Sequence, residues 1–92
     1  MIQFLVHEKN DTVGVATMDI KAGVTAKGRI MDSREAIELK ALGDIPLGHK
    51  IALKDCKVGD TVIKYGHDIG KVVAPIRKGE HVHVQNLKTK RW

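Results

Sequence analysis

The segment Glu80-His81-Val82-His83-Val84-Gln85-Asn86 alternates polar and apolar residues at the period of a β-strand. That period turns Val82 and Val84 to one face and His81, His83 and Gln85 to the other, with same-face neighbours roughly 6 to 7 Å apart. Two imidazoles and an amide so spaced are suited to gripping an oxyanion. Two histidines fall short of a metal site, so no metal ligand is assigned on this chain; the competing reading is a polar strand face that is exposed or buried against a partner. A second constellation is Gly48-His49-Lys50, where a turn glycine presents an imidazole and an ammonium ahead of the apolar-alternating Ile51-Ala52-Leu53. That pair can donate hydrogen bonds to a carboxylate or sulfonate. A third is Lys64-Tyr65-Gly66-His67, polar groups at the tip of a hairpin between Val62-Ile63 and Ile69. In these three segments Lys50, Lys64, Tyr65, Gln85, Asn86 and the histidines 49, 81 and 83 are candidates for binding a substrate or a neighbouring subunit. None is assigned a catalytic role, and His7 is given no role.

These residues must be held by short strands and turns. Alternation predicts strands over 2–7, 12–18, 24–31, 37–41, 49–53, 61–64, 69–74 and 81–84. Residues 32–42 offer the one helical competitor, with Ser33 as a cap and Ala36, Leu39 and Lys40 as helix formers. Between the strands one phrase recurs four times, an apolar residue, two variable residues and a glycine: Ile20 to Gly23, Ile45 to Gly48, Cys56 to Gly59 and Ile76 to Gly79. The apolar residue pins a turn to the core, and the glycine tolerates the backbone reversal into the next strand. The expected architecture is mainly β, one compact domain over residues 1–92, with at most one short helix.

Ninety-two residues bury little, only about 60 to 65 percent of the surface of the unfolded chain. Phe4, Tyr65 and Trp92 are the only aromatics, so the core is aliphatic and leaves little material for a deep pocket. A complete enzyme is not expected. Cys56, the single cysteine, reads as a small core residue, and the lack of a disulfide favours a reducing compartment. The opening Met1 to Val6 lacks the basic leader and length of a signal peptide, and no apolar run is long enough to cross a bilayer, which points to the cytoplasm. Residues 1–49 carry six basic and seven acidic side chains and residues 50–92 ten and four, so the second half holds the positive field. Without stacking aromatics that field favours a small anion or an acidic partner surface over nucleic acid. The tail Lys88 to Trp92 is expected to dock on its own domain or on a partner, because a tryptophan is costly to leave in water.

Taken together, Gly48 to Asp55, Val62 to Gly66, Ile69-Gly70 and Gly79 to His83 resemble the small domain of the altronate and galactarate dehydratase family, which has the SAF, or β-clip, architecture. The resemblance runs over nearly the whole chain from Phe4 and is strongest after Ile45. It implies a small subunit that works only with a separate large subunit, in a lyase acting on a small anionic hydroxy acid. The runs Tyr65 to Gly70 and Val73 to Glu80 and the basic ending imply elimination of sulfite from (2R)-3-sulfolactate to give pyruvate. Loss of water from a sugar acid such as altronate, or a free-standing anion- or partner-binding module, are the alternatives. Iron, held mainly by the large subunit, is the cofactor the resemblance implies. The chain departs from the family pattern at Gln85, where histidine is usual; glutamine keeps donor and acceptor capacity but is a poor metal ligand.

Overall fold

A computed structural model of the chain describes residues 1–89 and contains strands and turns with no helix among them. Strands β1 (Phe4–Val6), β2 (Val13–Ala16), β3 (Thr25–Ile30), β4 (Ala36–Lys40), β5 (Lys50–Ala52) and β8 (His81–Val82) form one sheet in the order β4-β3-β1-β2-β5-β8. Strands β6 (Thr61–Lys64), β7 (His67–Val72) and β9 (Leu87–Thr89) form a second in the order β6-β7-β9. Pairing is antiparallel except between β1 and β3.

The alternation that predicts β3 is obeyed residue by residue: Ala26, Gly28 and Ile30 are buried while Thr25, Lys27 and Arg29 face out. The same rule decides 32–42 against a helix. Ile37 and Leu39, two apart, point to one face only in an extended chain, and β4 pairs with β3 from Thr25↔Lys40 to Arg29↔Ala36. Arg34, at φ 63°, makes the tight reversal between the two strands. Strand β9 was not foreseen, because Leu87-Lys88-Thr89 is too short to display a period of its own. The expectation for the tail falls partly on residues 90–92, which lie outside the described residues; Lys88 and Thr89 belong to β9.

The four turn phrases fold into two clasps. Ile20 and Ile45 exchange both backbone hydrogen bonds, each 2.8 Å, and Cys56 and Ile76 do the same at 2.8 and 3.0 Å. Asp19 accepts from Leu47 N at 2.8 Å and Asp44 from Ala22 N at 2.9 Å, so the first clasp is latched reciprocally by carboxylates. In the second, Asp55 accepts from Lys78 N at 2.8 Å, but Pro75 stands where the other aspartate would be. All four glycines have φ between 83° and 94°, the left-handed region that a side chain resists.

Each clasp closes over its own apolar cluster. Phe4, Val6, Ile20, Ile30, Ile45 and Ile51 belong to the first; Val13, Cys56, Val62, Val72, Ile76 and Val82 belong to the second. The Phe4 ring lies so close on Gly28 that a Cβ there would stand 2.3 Å from Cε2 and Cζ. Cys56 is 6% exposed, and burial followed by the Asp60 carboxylate pushes its thiol pKa up. It is a core residue, as the sequence suggests.

Candidate functional site

His49 begins where the first clasp ends. Its backbone N donates to Pro46 O and its O accepts from Ala16 N, each at 2.9 Å. The register Lys50↔Val82 and Ile51↔His81 carries β5 past β8, so one further step places His49 across from His83 and diagonal to His81. His49 Nδ1 and His81 Nε2 stand 2.8 Å apart. Ring centroids are separated by 4.7 Å for His49 and His83 and by 5.4 Å for His81 and His83. One nitrogen from each of the three histidines falls within 4.8 Å of the others.

Val84 departs from the sequence expectation: it is 75% exposed rather than turned inward. The cause is Asn86. Its buried carboxamide accepts from His83 N at 3.0 Å and donates to His81 O at 2.9 Å, ending β8 at Val82 and coiling 83–86 into a turn. Asn86 therefore acts as a brace for the two histidines. Gln85 reaches back so that Nε2 lies 3.2 Å from His81 O and 3.4 Å from His81 Nδ1, on the ring edge away from His49. The histidines thus converge by a turn as well as by a strand, an arrangement that alternation alone could not express.

The surroundings are electropositive. Burial first, then His49, His83 and Lys50, hold the His81 pKa below its ordinary value. Burial and then Lys64 lower that of Lys50. Through these neighbours Lys50 and Lys64 join the histidines in one field, which a bound anion would relieve.

Tyr65 sits differently. With Gly66 it forms the two-residue turn between β6 and β7, at φ 56° and 73°. Its ring stacks on His7 at 3.6 Å and lies 5.0 Å from Lys64 Nζ. Asp11, which the sequence did not single out, holds this tip: its buried carboxylate accepts from Tyr65 N at 2.9 Å and Gly66 N at 3.0 Å. An acidic residue just ahead of a strand was the only signal for it. His67 is exposed and opens β7.

A groove of about 530 Å³ lies elsewhere, lined by Val6, Lys9, Ile37, Leu53, Lys54 and Lys78 among others, and shares no residue with the histidine cluster. His83 and Gln85 are exposed. The cluster is an open, positively charged face, fit to grip a small anion but short of the walls that would enclose one.

Fold and site together define a small β-clip domain with histidines and lysines gathered on one open face. Residues 2–90 match the altronate/galactarate dehydratase SAF domain, and the chain belongs to that family. It is 48% identical over 92 residues to the (2R)-sulfolactate sulfo-lyase subunit alpha of Chromohalobacter salexigens, covering 99% of this chain and 98% of that one. Over 54 residues, 59% of this chain and 81% of the relative, it is 63% identical to the protein of the same name from Paracoccus pantotrophus. The altronate dehydratase of Bacillus subtilis is 42% identical over 89 residues, 97% of this chain but only 17% of that enzyme.

Proposed function

We propose that this chain is the small subunit of a cytoplasmic two-subunit lyase that eliminates sulfite from (2R)-3-sulfolactate, leaving pyruvate. The observation that carries the reading is end-to-end similarity to stand-alone alpha subunits of that name, whereas the altronate dehydratase contains this domain as a small fraction of a long chain. The open histidine face fits a domain that is active only when covered.

The substrate carries a carboxylate and a sulfonate. Lys50 and Lys64 supply ammonium groups to bind these anions, and the face formed by His49, His81 and His83 orients the hydroxyl and carboxylate oxygens. Removal of the proton from the carbon bearing the hydroxyl leaves an electron pair that forms the carbon–carbon double bond as the carbon–sulfur bond breaks. Sulfite departs with the bonding pair, and the resulting enol takes a proton to become pyruvate. The base for the first step is assigned to the large subunit. An iron ion at such a site would polarise the substrate oxygens and so acidify the proton to be removed.

The test is sulfite release from (2R)-sulfolactate by this chain, by the large subunit, and by both together, anaerobically with ferrous iron. Sulfite from the pair alone supports the reading; a stable complex that releases none, but dehydrates altronate, replaces it with the sugar-acid reaction. In the active pair, His49→Ala, His81→Ala and His83→Ala should each lower the rate at least about tenfold, a transition-state loss of about 1.4 kcal/mol.

A further inference from the structure

We propose that His49, His81 and His83 bind one divalent first-row transition-metal ion on this chain itself, as a three-nitrogen set with the remaining coordination positions open. Metal–imidazole bonds of about 2.1 Å at right angles put neighbouring ligand nitrogens about 3.0 Å apart. His49 Nδ1 and His81 Nε2 already stand at 2.8 Å, and a His83 nitrogen completes the group within 4.8 Å.

The backbone that carries the three histidines is held by contacts that need no ion. His49 is tied to Pro46 and Ala16, His81 is paired with Ile51, and His81 and His83 are braced by Asn86. Gln85 lies against His81 Nδ1, the nitrogen left over once Nε2 is used. That is where an outer partner orients a ligating ring, and with glutamine there instead of histidine the position serves as support for the ligand set.

The donor set decides the class of ion. Three imidazoles suit iron, cobalt, nickel or zinc, whereas magnesium and calcium require oxygen ligands. Three ligands from one chain leave room for substrate oxygens and for a group from a covering subunit, which places the ion at the seam between the two. The sequence set only His81 and His83 side by side; His49, 32 residues from His81, joins them through the β5–β8 pairing.

The proposal is tested with the metal alone. The 92-residue chain, freed of metal by a chelator, is titrated anaerobically with Co²⁺, read by calorimetry and by its visible absorption, and then challenged with Zn²⁺ and with Mg²⁺. One Co²⁺ per chain, displaced by Zn²⁺ but not by Mg²⁺, is expected. His83→Ala, at an exposed position, should weaken Co²⁺ binding at least tenfold, while His67→Ala, at an exposed histidine outside the cluster, should leave it unchanged. Absence of Co²⁺ and Zn²⁺ binding, or binding indifferent to His83→Ala, overturns the proposal. If a variant loses its fold by circular dichroism, imidazole nitrogen resonances of the unmodified chain decide: three rings shifting with Zn²⁺ supports the site, and fewer than three overturns it. The outcome does not hang on sulfolactate, since a metal-binding chain whose complex releases no sulfite would sink the substrate assignment alone.

Discussion

Asp11 and Tyr65, 54 residues apart, are joined by a 2.9 Å hydrogen bond from the Tyr65 backbone N to the Asp11 carboxylate, which also accepts from Gly66 N and, at 3.2 Å, from Glu8 N. The bond fixes a tyrosine in the left-handed region, which few side chains adopt unaided. Asp11→Ala would strand backbone donors at a buried position. Bonds to a charged acceptor contribute more than ordinary ones, so the expected loss is about 2 to 4 kcal/mol. Asp11→Asn, which keeps one acceptor oxygen, should lose less. Urea unfolding of the two variants checks the order.

Phe4 and Gly28 make a second test of packing. Gly28→Ala forces a methyl against the aromatic ring and should destabilise by about 1 to 3 kcal/mol. In a Phe4→Leu background, where the ring is gone, the same substitution should cost less. Equal costs in both backgrounds, measured as a double-mutant cycle, would show that the ring is not what Gly28 accommodates.

The raised pKa of Cys56 makes its thiol a poor nucleophile at neutral pH. Iodoacetamide at pH 7.5 should label the folded chain at least about tenfold more slowly than the urea-unfolded chain. The sign of the linkage follows. Below the unfolded value near 9.0 the thiol is protonated in both states; above it the unfolded chain loses the proton first, so stability falls as pH rises towards the folded pKa. Cys56→Ala should remove that part of the alkaline loss.

In the complex, Lys50→Gln and Lys64→Gln should each raise KM for sulfolactate more than they lower kcat, because their ammonium groups bind the anions before and during reaction alike. Steady-state kinetics at fixed ionic strength separates the two. A fall confined to kcat would move these lysines from binding to the chemical step.

The turn phrases and most strands were legible because each is written locally, in a glycine at fixed offset or an alternation of two. Residues 32–42 offered a strand over 37–41 and a competing helix, and the strand prevailed because the inward pair Ile37 and Leu39 and the open edge of β3 acted together. The site was legible as fragments. His81 and His83 share a segment and His49 stands with Lys50, but their meeting depends on strand pairing and on the Asn86 turn, neither of which has a sequence period. Asp11 was missed for the same reason: its partners lie across the fold.

The two clasps also divide the chain into two jaws. Each joins phrases within its own half of the chain, and so closes a short loop at low entropic cost. His49 follows immediately on the last phrase of the first clasp and His81 comes two residues after the last phrase of the second. The histidines are therefore carried on opposite jaws and meet where β5 pairs with β8. An ion that holds all three would tie one jaw to the other, resisting their separation and making the spectrum of the bound metal a readout of the finished fold.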